Sequence, residues 1–134
     1  MTIDIAEALR YLGADKADEA TRRAVEQAAK ELTEKLVPRF VYKVFSVEHT
    51  ENGTFLPEAG LTLPGRMAKR MLQSCDLAAL LCCTLGTAFD RLLRMTQARD
   101  MAKAAILNAC GSAYAEAGCG EAEKKSLRGI RICI

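Results

Sequence analysis

Tryptophan is absent, and aromatic residues make up only 5% of the chain, four Phe and three Tyr. A surface that stacks nucleic-acid bases needs more rings than that. The formal net charge is only +2, with 19 basic and 17 acidic residues intermixed, so the basic stripe of a general nucleic-acid binder is missing as well. Histidine occurs once, at His49. No apolar run approaches the roughly 20 residues of a membrane-spanning helix. The opening MTIDIAEALRYLG carries acids and no long apolar region, unlike a secretory signal. The expectation is a cytoplasmic protein that binds neither nucleic acid nor membrane.

Zinc-type spacing is also missing. Cysteines stand at 75, 82, 83, 110, 119 and 133, without a Cys-x-x-Cys and with His49 far off in sequence. No metal ligand is expected. Without a secretory signal these read as reduced thiols used for packing, with redox or metal roles as the other readings. Cys82 and Cys83, adjacent on a strand, point to opposite faces.

What is present is a core. Half of the 134 residues are hydrophobic, enough for one domain over 1–134. The stretch from Cys75 to Cys119 is its expected centre. The apolar run Leu77–Leu85 is strand-length and ends at Gly86. Thr87 then fits an N-cap with Asp90 three residues on, and Phe89, Leu92, Leu93 and Met95 supply an apolar face. A second helix over about 101–117 is apolar except for Lys103 and a stripe of Asn108, Ser112 and Glu116, four residues apart. Such a stripe lines something wet, binds a polar partner, or marks the edge of the core. Glu116 either points to solvent at a helix end or meets a donor, because an unpaired buried carboxylate is costly. Gly86 and Thr87 offer backbone N–H groups at a strand-to-helix turn, where an ordinary cap is the other reading.

The rest follows local rules. Asp4 caps a helix that stops at Gly13. A longer helix over 18–36 ends before Pro38, with Glu26–Lys30 and Glu31–Lys35 as i,i+4 pairs. Residues 39–50, RFVYKVFSVEHT, form a strand, and Glu51-Asn52-Gly53 is a hairpin turn. A returning strand from Thr54 is interrupted by Pro57, and Leu61–Leu63 extends it. Pro64 opens a helix over 65–73 with Met67, Ala68, Met71 and Leu72 inward and Arg66, Lys69 and Arg70 outward. The ending Ile-Arg-Ile-Cys-Ile alternates like a short strand.

Three pieces in order, RFVYKVFSVEH with its hairpin, LTLPGRMAKRML before CDLAALLCCTLGTAFDRLL, and AAILNACGSAYAEAGCGEAEKK, resemble the activation domain of cobalamin (vitamin B12)-dependent methionine synthase in its small stand-alone form. The resemblance covers about residues 3–125. It implies an α+β fold, antiparallel strands packed with helices. It implies binding of S-adenosylmethionine as methyl donor for reductive methylation of a cobalamin held by a partner corrinoid protein or domain, with an electron-donor protein as a further partner. Such a domain belongs to a methyltransferase but contributes no catalytic residue of its own. Glu116, in Ala113-Tyr114-Ala115-Glu116, falls where the family has an acidic residue that helps hold S-adenosylmethionine, with Ser112 and Tyr114 beside it. The family's Arg-x-x-Pro-Gly-Tyr ligand loop is not matched, and 120–134 is an atypical tail. The expectation is therefore a fold with its C-terminal part missing. The alternative is a non-catalytic module that docks on a corrinoid protein or forms a homodimer through uncovered apolar surface.

Overall fold

Local capping rules place the first two helices. A computed structural model describes residues 1–128, and α1 (Ile5–Leu12) begins where the Asp4 carboxylate accepts from the N–H groups of Ala6 and Glu7. It ends at Gly13, whose left-handed backbone returns N–H bonds to Leu9 and Arg10. Asp18 caps α2 (Glu19–Lys35) through Thr21 N–H at 2.8 Å, and Leu36 closes it two residues before Pro38. On the outer face Glu31 pairs with Lys35 at 2.6 Å as the spacing predicts, whereas Glu26 pairs with Arg22 rather than Lys30. Exposed pairs of this kind contribute about 0.3–0.5 kcal/mol each.

The expected strand over 39–50 is two strands, β1 (Arg39–Ser46) and β2 (Glu48–Thr50), broken at Val47, whose N–H donates to Asp76 O at 2.9 Å. β3 (Gly53–Leu56) pairs antiparallel with β2, Thr50 opposite Gly53, as the Asn-Gly turn demands. A 3₁₀ turn over Pro57–Ala59 and the left-handed Gly60 then reverse the chain. Leu61–Leu63 is consequently not an extension of β3 but a third strand, β4, lying antiparallel against it with Leu56 opposite Leu61. After α3 (Arg66–Leu72) comes β5 (Leu77–Thr84), which pairs with β1 in a separate two-stranded sheet. Two helices follow, α4 (Thr87–Gln97) and α5 (Met101–Leu127). The second runs ten residues beyond the expected end at Ala117. The described chain is thus α+β, with five helices and small antiparallel sheets. The expected strand over Ile130–Ile134 lies outside the described residues.

The chain divides into two compact units. The first comprises Met1–Val41 and Cys82–Lys124. Its core joins Val25, Ala28, Ala29 and Leu32 of α2 to Leu107, Cys110, Ala113 and Tyr114 of α5, with Ala8 and Leu9 of α1. The second comprises Tyr42–Leu81 and the described residues from Lys125 on. Its core is Phe45, Leu56 and Ala78, flanked by Val47, Leu63 and Leu72.

The apolar run of β5 is not the centre of the core. Only Ala78 is buried along it, while Leu77, Leu80 and Leu81 are 47%, 37% and 38% exposed. Met67 and Met71, expected inward on α3, are exposed too; Ala68 and Leu72 form the covered side. Among the described residues no helix is long and apolar enough to cross a membrane.

Candidate functional site

At the end of β5 the chain turns sharply. Thr84 Oγ1 accepts from Gly86 N–H at 3.0 Å, and Gly86 takes φ +80°, a conformation that side-chain-bearing residues rarely adopt. Gly86 itself is the N-cap of α4, with no side-chain hydrogen bond to cap the helix. Thr87, expected as the cap, is the first helical residue. The opening N–H groups of α4 are left without a side-chain acceptor, at the positive end of the helix dipole. Asp90 lies in that same first turn.

α5 forms the facing wall. A Cβ at Gly111 would overlap the Phe89 ring, so only glycine lets α4 and α5 approach this closely. The result is an open groove of about 280 Å³. Thr84, Gly86 and Asp90 line one side and Asn108, Ser112 and Ala115 the other. All belong to the first unit. Ser112 Oγ donates to the Asn108 carbonyl at 3.1 Å, which anchors it on the helix and leaves its oxygen able to accept.

The three residues singled out from sequence separate here. Ser112 lines the groove. Glu116 does not: it is exposed, and Tyr11 of α1 donates to its Oε2 at 3.2 Å. Residues four apart on a helix drift about 40° around its axis at each step, so the Asn108–Ser112–Glu116 stripe turns from α4 toward α1. Tyr114 is buried in the helical core, where its hydroxyl donates to the Leu36 carbonyl at 2.9 Å and burial raises its pKa. It fastens α5 to the carbonyl at the C-terminal end of α2. Asp90 and Asn108 are the groove residues that a reading centred on Glu116 passes over. The signal for Asp90 was its place three residues after Thr87, read there as a cap.

Cys82 and Cys83 point to opposite faces, as strand alternation requires. Cys83 borders the polar groove. Cys82 borders a larger depression of about 540 Å³ with Pro38, Arg39, Phe40, Val41 and Thr84. Its lining is mostly apolar and brings no carboxylate to a ligand, so the smaller groove is the better chemical candidate. Among the described residues no group of three or more His, Cys, Asp and Glu side chains could hold a metal ion. Compared with known proteins, the chain matches no family model, and no curated protein matches it significantly.

Proposed function

We propose that the groove between the Gly86 turn and α5 holds the amino-acid end of S-adenosylmethionine, and that the chain acts as a methionine synthase activation-like domain in the cytoplasm. One observation carries this reading. The polar side chains of α5 meet, across a single groove, the Gly86 turn that opens α4 and the Asp90 carboxylate. These groups complement a zwitterion: the Asn108 side-chain amide suits its carboxylate, and Asp90 suits its ammonium. At about 280 Å³ the groove is smaller than cavities that enclose a whole drug-sized ligand, so it takes one end and leaves the other exposed.

Bound S-adenosylmethionine supplies an electrophilic methyl group; the cobalamin and the electron belong to a partner corrinoid protein and an electron donor. The chain's own residues bind and orient. Asp90, Asn108 and Ser112 hold the ligand, and Gly86 and Gly111 keep the two walls at the separation that a small polar group fills.

Calorimetric titration with S-adenosylmethionine tests the reading. Saturable binding is expected, weakened about tenfold or more in Asp90→Asn, the loss of a hydrogen bond to a charged group. Ser112→Ala should weaken it less, and Glu116→Ala should leave it within about twofold. Binding that depends on Glu116 and ignores Asp90 would move the site away from the groove. Absence of heat at millimolar ligand would end the proposal.

The exposed Leu77, Leu80 and Leu81 favour a second reading, a non-catalytic module that docks on a corrinoid protein or pairs with its own copy. Sedimentation separates the two. A concentration-dependent dimer lost in Leu80→Ser supports assembly, and a monomer at every concentration that captures no corrinoid protein removes it.

A further inference from the structure

The helices of this chain balance their charges, with one exception. α1, α2 and α5 each hold an acid and a base one turn apart in a salt bridge, and α4 carries both signs in Asp90 and Arg94. α3 alone among the described α-helices has charge of one sign: Arg66, Lys69 and Arg70, with no acidic residue. Among the described residues none of these three forms a salt bridge.

The same helix leaves its largest apolar side chains open. Successive residues of a helix are turned about 100° from one another. Ala68 and Leu72 therefore share one side, which is half-buried, and Leu72 packs against the Phe45, Leu56 and Ala78 core. Met67 and Met71 form the adjoining stripe and are 77% and 70% exposed. Arg66 and Arg70 form the stripe after that, also exposed, with Lys69 beyond them. An open pair of methionines thus lies directly beside a row of cations. Methionine is unbranched and polarisable, and it adapts to an apolar surface of irregular shape.

We propose that this face of α3 docks a different protein through an acidic amphipathic helix. Apolar side chains of that helix cover Met67 and Met71, and its carboxylates meet Arg66 and Arg70. Charge decides the occupant. A second copy of the chain does not supply it, because no α-helix among the described residues carries acidic residues alone. Residues 129–134, GIRICI, bring an arginine and no acidic side chain. A lipid surface can be anionic too, but a seven-residue helix with two methionines and no aromatic ring gives it little to bury. A nucleic acid would meet the cations and leave the methionines uncovered. α3 belongs to the second unit and the polar groove to the first, so the inference does not rest on what the groove binds.

The probe is a synthetic helical peptide with leucines four residues apart on one face and glutamates around them, followed by fluorescence anisotropy. Wild type should bind it saturably, and less tightly as salt rises. Versions with lysine for glutamate, or serine for leucine, should not bind. Met67→Ser with Met71→Ser should weaken binding about tenfold or more, and Arg66→Glu with Arg70→Glu by at least as much. Leu80→Ser, on β5, should leave it within about twofold. All four α3 positions are exposed, so both pairs of variants should melt like wild type; if one pair does not, the other decides. Affinity that survives the α3 variants overturns the proposal, as does a serine peptide that binds as well as the leucine one, or no binding by wild type. Phosphatidylserine vesicles and a DNA duplex complete the test. Tighter, α3-dependent binding to either would replace the protein partner with a membrane or a nucleic acid.

Discussion

The two units of this chain bury their apolar residues on different terms. In the first, three helices contribute, and Val25, Leu32, Leu107 and Cys110 lose essentially all contact with water. In the second, the core amounts to Phe45, Leu56 and Ala78 under strands of three to eight residues. Apolar content alone does not account for the contrast. The second unit contains Leu61, Met67, Met71, Leu77, Leu80 and Leu81, all exposed. The helices of the first unit present their apolar residues on facing stripes. Hydrophobicity stabilises only where an opposing surface exists to receive it. The candidate groove sits in the better-packed unit, where its walls are held by the core behind them.

The largest expected effect tests that contrast directly. Leu32→Ala removes a wholly buried side chain from the helical core and should cost about 2–5 kcal/mol. Leu56→Ala removes an equally buried side chain from the thinner core and should cost about 2 kcal/mol, at the low end of the same range. Hydrogen exchange checks both. Leu56→Ala should expose the amides of β2, β3 and β4 while those of α2 and α5 keep their protection. Equal loss across both units in the two variants would mean that they unfold as one and would erase the comparison.

A smaller effect is expected at Tyr114. Tyr114→Phe keeps the ring packing but leaves the Leu36 carbonyl without its donor, for a loss of about 0.5–1.5 kcal/mol in chemical denaturation. No change would show that water replaces the hydroxyl at no cost. The smallest effect belongs to the second unit. Glu58 accepts from the Ser46 hydroxyl at 2.6 Å and from the Ser46 N–H at 3.0 Å, and the hydroxyl bond foremost holds its pKa below the usual carboxylate value. A lowered folded-state pKa means that this contribution is present above the unfolded value and is lost as pH falls through the folded one. Glu58→Gln should therefore melt lower than wild type at neutral pH and converge with it in acid. An unchanged gap down to low pH would assign the difference to packing.

Legibility in the sequence followed the range of the interaction. Asp4 with Gly13, Asp18, and Asn52-Gly53 were readable because a cap or tight turn is decided within about four residues. Thr87 was misplaced by one position: Gly86, whose N–H donates to Thr84 Oγ1, is the N-cap, and Thr87 is the first helical residue. The reversal at Gly60 was equally local, yet it was hidden by Pro57, which reads as an interruption rather than the start of a turn. The β5 run and the α3 methionines were misread for a different reason: a pattern shows that a face is apolar, not that anything covers it. Of the candidate site, Ser112 was visible as part of a polar stripe. Its meeting with Asp90 depends on two glycines bringing α4 and α5 together, and no spacing rule reports that.

Gly111 reverses the usual guess about which positions tolerate change. Leu80 and Leu81, the most conspicuous residues of the apolar run, are open to water and should accept polar replacements. Gly111 contributes no side chain, yet the space beside it is already filled by the Phe89 ring. For folding, positions that look essential in the apolar run would be permissive, and one that carries no side chain would be among the constrained ones.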